Sequence, residues 1–187
     1  AVWRDQPGPT TSEPCPGNIC TENSYASNIF TFNVTQWTTY IANESVINVN
    51  ECGLLNNASV RYNATQNLQT NRTCFDVSAS YVIIDCNTAS YGLGLTGNRS
   101  NETFYSGINA TQITNLTLVN CSISNFSRGI YFLNVSNSAI VDNNITEPMI
   151  SAIHIVNHSN TLKIQNNTIL VNNYSGLLIP GIIIENL

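Results

Sequence analysis

Charge is scarce in this sequence. Only 9% of its residues are Asp, Glu, Lys or Arg, against about 25% in an average soluble domain, and Lys163 is the one lysine. The net charge of -5 is spread along the chain, with no acidic or basic block. Nucleic-acid binding and polybasic membrane contacts both require clustered Lys and Arg. We therefore expect neither nucleic acid nor a membrane surface as a partner.

Long apolar runs are missing as well. A bilayer span needs roughly 18–20 apolar residues, whereas the most apolar run, residues 176–184, is shorter and contains Pro180. No membrane span is expected in this chain. The sequence begins at Ala1 rather than Met, which is the pattern of a secreted protein after loss of its signal peptide.

Helical periodicity is absent, and the abundant residues favour strands. Asn, Thr, Ile and Val disfavour helix, while Phe30, Phe32 and Val34 alternate with polar residues as in a strand. Residues 1 to about 28 are instead rich in Pro, Gly, Ser and Thr. They predict an arm or cap rather than a core element.

Asparagine is unusually frequent and often occurs in the acceptor motif for N-glycosylation, Asn-x-Ser/Thr. The composition would give roughly six such motifs by chance, and sixteen are present. The alternative is that Asn and Thr occur together because β-turns favour them. Attached glycans would supply the solubility that the few charges do not. The predicted glycosylation sites are Asn33, Asn43, Asn57, Asn63, Asn71, Asn98, Asn101, Asn109, Asn115, Asn120, Asn125, Asn134, Asn144, Asn157, Asn166 and Asn173.

Cysteine usage also indicates a secreted or cell-surface protein. Six cysteines predict three disulfides, although fifteen pairings are possible. A zinc site is not expected, because Cys15 and Cys20 do not form a Cys-x-x-Cys pair, and His154 and His158 lie far from any cysteine in sequence. The cysteines predicted to form disulfides are Cys15, Cys20, Cys52, Cys74, Cys86 and Cys121.

Internal repeats are the strongest organisational signal. Residues 116–123, 138–145 and 162–169 align without gaps, each with an apolar position followed five residues later by Ile. A second apolar column repeats with the same period of roughly 22–24 residues. Its predicted members are Ile108, Ile130, Ile153 and Leu177, with Phe132, Ile155 and Ile179 two residues after the last three. Val82 joins the first column and Val77 the second, before a predicted loop over residues 92–106.

These repeats predict a right-handed parallel β-helix in which like residues stack on like. Asparagine suits its turns, because it tolerates the left-handed conformation and hydrogen-bonds nearby backbone. A leucine-rich repeat would need a Leu-x-x-Leu-x-Leu spacing that is missing, and a β-sandwich gives no reason for two registered columns. We therefore expect an all-β chain, with an irregular or β-structured arm or cap over residues 1–45 and a β-helix over residues 46–187.

Several motifs resemble those of archaeal surface proteins of the parallel β-helix class. The resemblance covers about residues 46–187 and departs at Thr88, where the family usually has Gly. Its motifs here are residues 50–53 (Asn-Glu-Cys-Gly), 73–77 (Thr-Cys-Phe-Asp-Val), 81–87 (Tyr-Val-Ile-Ile-Asp-Cys-Asn) and 120–124 (Asn-Cys-Ser-Ile-Ser). Together with the spacing, it implies the pairs Cys52–Cys74 and Cys86–Cys121, which leaves Cys15 with Cys20. It also implies a surface or adhesin-like protein.

Catalytic residues are not evident. Glycan-cleaving β-helices need clustered carboxylates, and the acids of the repeat region are Asp76, Asp85, Asp142, Glu147 and Glu185. In the alignment Asp85 stands over Val119 and Val141, whereas Asp142 stands over Asn120 and Asn166, so the acids do not converge. His154 is expected on the surface. No helix follows the glycine-rich residues 92–97, so phosphate binding is not expected either. The sequence predicts a non-enzymatic protein without cofactor or metal.

The carboxyl-terminal residues predict assembly. In the alignment Ile184 and Asn186 match Ile164 and Asn166, so the last coil is incomplete and no amphipathic cap follows it. Either the chain continues, or another subunit covers this end. We favour the second, with copies stacked head-to-tail into an extracellular filament or surface array and the amino-terminal arm docking on a neighbour. The predicted assembly residues are Phe30, Phe32, Val34, Leu177, Ile179, Ile182 and Ile184.

A monomeric adhesin or glycan-binding module is the alternative function. Tyr105, Tyr131 and Tyr174 would then stack on sugar rings, although each is as readily ordinary packing on a β-surface. A monomer that binds glycans would favour this alternative.

Overall fold

The computed structural model describes residues 2–5, 12–14, 20–26, 29–34, 40–42, 45–86, 94–97, 104–171 and 178–186. These residues form strands and turns, and none of them is helical. The chain divides into two compact units, residues 1–45 and 46–187. The all-β class predicted from composition is confirmed.

The first unit is built from antiparallel strands. Strands β1 and β2 pair, β1 also pairs with β5, and β3 pairs with β4. The alternating segment around Phe32 is strand β4, and Phe32 stands opposite Glu22. Three of the strands lie within residues 1–28. The bounds are β1 Val2–Asp5, β2 Ser12–Pro14, β3 Cys20–Ala26, β4 Ile29–Val34 and β5 Tyr40–Ala42.

The second unit contains seventeen short strands among its described residues. Their bounds are β6 Ser45–Val49, β7 Gly53–Leu55, β8 Val60–Ala64, β9 Leu68–Thr70, β10 Phe75–Val77, β11 Val82–Asp85, β12 Gly94–Gly97, β13 Ser106–Thr111, β14 Leu116–Val119, β15 Ser122–Ser124, β16 Arg128–Leu133, β17 Ser136–Val141, β18 Asn144–Thr146, β19 Ser151–Val156, β20 Ser159–Gln165, β21 Thr168–Leu170 and β22 Ile182–Glu185.

The strands of this unit form three parallel sheets that the chain visits in turn. Sheet 1 has the order β20-β17-β14-β11-β8-β6, sheet 2 the order β21-β18-β15-β12-β9, and sheet 3 the order β22-β19-β16-β13-β10-β7. From β8 onward the chain passes from sheet 1 to sheet 2 to sheet 3 and back to sheet 1. Like elements of successive repeats therefore become hydrogen-bonded neighbours.

The register of the first apolar column agrees with the sequence alignment. Leu118 pairs with Ile140, which pairs with Ile164. In sheet 2, Ile123 pairs with Ile145, which pairs with Ile169. The residues of the inner repeats are fully buried, so these columns form the core. The prediction of stacked like residues is confirmed for residues 116–169.

Part of the second column was predicted wrongly. Ile108, Ile130 and Ile153 do stack in sheet 3, but the next member is Ile182 and not Leu177. Leu177 lies outside the described residues. Ile184 stands beside Ile155 in sheet 3, so its predicted match to Ile164 of sheet 1 is also wrong. The segment between β21 and β22 is longer than the connections of earlier repeats. Counting one repeat length from Ile153 therefore no longer reaches the next member of the column.

The earlier end of the same column is shifted by two residues. Phe75 pairs with Ile108, and Val77 pairs with Ala110 instead of Ile108. Residues two apart share one face of a strand, so both remain inward and both are buried. The predicted loop over residues 92–106 also contains strand β12, which pairs with β9 and β15. Backbone hydrogen bonds to two neighbours make a strand here although the segment is glycine-rich.

Turn residues in the left-handed conformation form four columns. Positive φ at non-glycine residues recurs at four positions along the stack: one in the turn from sheet 1 to sheet 2, one in the turn from sheet 2 to sheet 3, and two where the chain passes from sheet 3 into the next strand of sheet 1. The columns are Ser59–Tyr81–Asn115–Asn137–Asn160, Asn120–Asp142–Asn166, Asn125–Glu147, and Gln112–Asn134–Asn157–Asn186. Asparagine is the commonest member, as the sequence predicts, because its short polar side chain lowers the cost of this conformation.

Candidate functional site

Two disulfides cross-link successive turns of the sheet stack. Cys52 is bonded to Cys74 with a Cα separation of 4.5 Å, and Cys86 to Cys121 with 4.7 Å. These are the pairs that spacing and the family resemblance imply. Cys15 lies outside the described residues, and Cys20 is the first residue of β3. The first bond joins the residues just before β7 and β10, and the second joins the residue after β11 to the residue before β15.

Asn143 and Asn167 occupy the turn position of Cys121 in the next two repeats, and we call them the asparagine ladder. Asn143 is buried, and its Oδ1 accepts a hydrogen bond from the Cys121 N–H at 2.9 Å. Its Nδ2 donates to the carbonyls of Leu118 and Val141 and to Oδ1 of Asn167. Neither Asn143 nor Asn167 is in an acceptor motif. Sequence analysis missed this network, although both residues align with Cys121 in the three matched repeats.

The asparagines of the acceptor motifs lie on the outside. Of the eleven whose side chains are described, none is buried. Six of them also occupy left-handed turn positions, namely Asn115, Asn120, Asn125, Asn134, Asn157 and Asn166. The backbone therefore gives an independent reason for asparagine at these six. Asn33 lies on β4, and Asn43, Asn98, Asn101 and Asn173 fall outside the described residues.

Two acceptor asparagines donate their amide nitrogen to a carboxylate. Asn109 Nδ2 lies 2.8 Å from Asp76 Oδ1, and Asn120 Nδ2 lies 3.2 Å from Asp85 Oδ1. Asp85 also pairs with Arg61 at 3.0 Å. The carboxylates of Asp76 and Asp85 thus hold neighbouring polar side chains on the outer face. Within the described segments no three His, Cys, Asp or Glu side chains are grouped to hold a metal ion.

The prediction that His154 is an exposed surface residue is wrong. It stands in the outward column between Tyr131 and Ile183, yet only 9% of its surface is exposed. The Tyr131 ring meets the imidazole edge-on, with 5.4 Å between ring centroids. The carboxylate of Glu185 lies 3.5 Å from Nε2. Neighbours on both adjacent strands therefore cover the imidazole.

The guanidinium of Arg128 packs against two aromatic rings beside His154. Its Cζ lies 4.7 Å from the centroid of Tyr131 and 5.1 Å from that of Phe104. Tyr131 is one of the tyrosines proposed above to stack on sugar. Tyr105 is half-buried, and Tyr174 lies outside the described residues. Arg128 and Phe104 were not predicted. The signal for Arg128 was the rarity of arginine in a chain with so few charges, and the sequence contains no signal for Phe104.

Exposed apolar residues are found on the strands that end the sheets. In β22, Ile182 and Ile184 are each 43% exposed, although their column partners Ile153 and Ile155 are fully buried. Leu170 on β21 is also exposed. At the opposite end, β7 ends sheet 3 and β6 ends sheet 1, with Leu54 and Val46 exposed. Ile179 is half-buried.

Backbone groups of β22 also face outward along its open edge. The carbonyls of Gly181 and Glu185 accept hydrogen bonds from the β19 side. Backbone groups of successive residues in a strand point to opposite sides. The N–H groups of Ile182 and Ile184 therefore point away from β19, in the direction in which a further parallel strand would pair.

No protein-family model matches this sequence, and no curated protein matches it. None of the described segments forms a helix capable of crossing a membrane.

Proposed function

We propose that this chain is a non-enzymatic structural subunit of an N-glycosylated extracellular filament or surface array. We further propose that its second unit is a right-handed parallel β-helix. The fixed rotation through three parallel sheets supports this fold, since each return to a sheet is a parallel crossover, and such crossovers are right-handed in almost all proteins. The family resemblance to archaeal surface proteins supports the same class.

The observation that carries the proposal is that, among the described strands, those at both ends of the sheets pair on one side only and carry exposed apolar residues. Strands β20, β21 and β22 end the three sheets on one side, and β6, β9 and β7 end them on the other. Because the strands of each sheet are parallel, the strands at the two ends run in the same direction. The edge left free at one end of a sheet is the opposite of the edge left free at the other end. A second copy placed end-on would continue sheets 1 and 3, in which β20 and β22 would pair with β6 and β7 of the next copy. Such a head-to-tail contact does not close on itself.

The amino-terminal unit offers a second contact in the proposed assembly. Strand β4 carries Phe30, Phe32 and Val34 and is paired with β3 alone among the described strands. Its other edge is a place for strand addition between copies, which gains affinity from main-chain hydrogen bonds. Deleting residues 1–45 tests this role, and a truncated chain that polymerises as well as the full one refutes it.

Electron microscopy and light scattering of the purified chain over a range of concentrations test end-on assembly. We expect filaments or linear oligomers for the natural sequence. Ile184→Pro removes an N–H that faces the open edge and no hydrogen bond to β19, so it should abolish assembly and leave the circular dichroism spectrum unchanged. Ile184→Val has nearly the same side-chain volume, keeps that N–H, and should assemble. Monomers of the natural chain at every concentration would contradict the proposal.

The extracellular location and glycosylation rest on the disulfides and the excess of acceptor motifs. Glycopeptide mass spectrometry of the native protein tests them. Exposed asparagines such as Asn134, Asn144 and Asn157 should carry glycans. Asn109 and Asn120 should be less occupied, because their amide nitrogens already donate to carboxylates. Asp76→Ala should then raise occupancy at Asn109 and leave Asn120 unchanged. A protein without any attached glycan would refute this part of the proposal.

A further inference from the structure

We propose that the surface formed by Phe104, Arg128 and Tyr131 binds a carboxylate-bearing sugar, the uronic acid class. We call these three residues the arginine–aromatic site. Arg128 and Tyr131 lie on β16, an interior strand of sheet 3, and Phe104 lies just before β13. The inference does not depend on assembly, because β19 separates β16 from the end strand β22, and β13 and β10 separate it from the end strand β7.

Arg128 is already arranged for an anion. Its guanidinium is held over the rings of Tyr131 and Phe104, so little side-chain entropy remains to be lost on binding. Among the described residues no carboxylate forms an ion pair with it. A planar guanidinium offers paired N–H donors that match a carboxylate. Few other cations compete for an anion on this chain, which has six Lys and Arg in total.

The two kinds of side chain in the site assign the two halves of the ligand. The ligand's carboxylate belongs at Arg128, whose guanidinium is the positive charge of the site. Phe104 is 70% exposed and presents a flat apolar face on which a sugar ring can rest.

An acidic peptide fits less well. Peptides gain affinity on sheets chiefly by pairing with a free strand edge. Arg128 and Tyr131 lie on β16, which is already paired with β13 and β19 on both sides. The remaining contacts are side chains that present one anion-binding group and an exposed aromatic face. This combination favours a saccharide.

Titration calorimetry of the full chain with trigalacturonate tests the proposal. We expect saturable binding that Arg128→Gln weakens about tenfold or more, as expected for loss of a charged hydrogen bond. Phe104→Ala should weaken it about threefold. Phe104 is exposed and outside any strand, so this variant keeps the fold even if Arg128→Gln does not. Arg72→Gln is the matched control, because Arg72 is an exposed arginine on the same unit, and it should bind as the natural chain does.

Three results would overturn the proposal. They are absence of binding to the natural chain, equal binding of the methyl-esterified trisaccharide, and equal loss of binding in Arg72→Gln. Equal, Arg128-dependent binding of a pentaglutamate peptide would also overturn it, in favour of an acidic peptide. Ile184→Pro separates this proposal from the previous one, since it should abolish assembly and leave trigalacturonate binding intact.

Discussion

At the scale of single residues, backbone conformation explains much of the composition. Fourteen described non-glycine residues have positive φ, and all of them lie in the four turn columns. A chain of stacked repeats must place a residue that accepts the left-handed conformation at the same turn in every repeat. The frequency of asparagine thus has a structural cause in addition to the proposed glycosylation.

Tyr81 is the least suitable residue in these columns. It adopts φ 61° in the same column as Asn115 and Asn137, and a left-handed conformation costs an ordinary L-residue roughly 1–2 kcal/mol. We expect Tyr81→Asn to raise the free energy of unfolding by about 1 kcal/mol, measured by urea denaturation. Tyr81→Ala removes the same ring without relieving the backbone, so it should give no such gain. Equal stabilisation by both would show that the ring, and not φ, is the cause.

Asn143 has the opposite character, since its side chain is irreplaceable. Replacing it with Ala leaves the Cys121 N–H and the carbonyls of Leu118 and Val141 without the bonds they now make in the interior. We expect a loss of about 3 kcal/mol in the free energy of unfolding. Asn144→Ala, at the exposed neighbouring position, should change it by less than about 0.5 kcal/mol. Similar effects at both positions would contradict the role given to the ladder.

At the scale of elements, gapless repeats were predictable and insertions were not. Residues 116–123, 138–145 and 162–169 could be aligned because each has an apolar residue, Leu or Ile, followed five residues later by Ile. Leu177 and Val77 were misplaced where connections lengthen, since a count of residues no longer measures position along the stack. Strand β12 was missed because Gly94 and Gly97 lack the side chains that alternation requires, although their backbone pairs normally.

The candidate site was predictable only in part for a related reason. The alignment of Ile130 with Ile153 already places Tyr131 beside His154, as the structure shows. Packing of Phe104 against Arg128 arises from a longer connection before β13, and no repeat in the sequence signals it. The covering of His154 likewise depends on Glu185 of β22, whose register was misjudged. Contacts within matched repeats are thus readable, and contacts across insertions require the structure.

Gly129 in strand β16 shows how closely the side chains of the core pack. A Cβ on Gly129 would lie 2.5 Å from Cγ2 of Ile145 and 2.6 Å from the carbonyl oxygen of Ala152. We expect Gly129→Ala to lower the free energy of unfolding by about 2 kcal/mol, because the core must shift to admit the methyl group. Gly53→Ala is the control, since nothing lies within 4 Å of its Cβ. Thermal unfolding of both variants measures the difference, and a neutral Gly129→Ala would show that the surroundings of Gly129 are loosely packed.

At the scale of the whole molecule, stability and assembly are coupled in a stack of repeats. Each repeat buries its apolar face against its neighbours, so the terminal strands have the fewest contacts. Ile182 and Ile184 illustrate this, being partly exposed where Ile153 and Ile155 are fully buried. An end-on contact would bury them and would supply hydrogen-bond partners to the open edge of β22. Assembly would therefore stabilise the repeats nearest the junction most.

This coupling predicts that thermal stability depends on protein concentration. If copies associate end-on, mass action favours the folded, assembled state, and the midpoint of thermal unfolding should rise with concentration. Ile184→Pro should remove that dependence, whereas Ile184→Val should keep it. Hydrogen exchange gives the spatial control, because protection in β20 and β22 should increase on assembly while that of β14, deep in sheet 1, stays constant. A midpoint independent of concentration, or protection gained equally by all strands, would show that the sheet ends are not the sites of association.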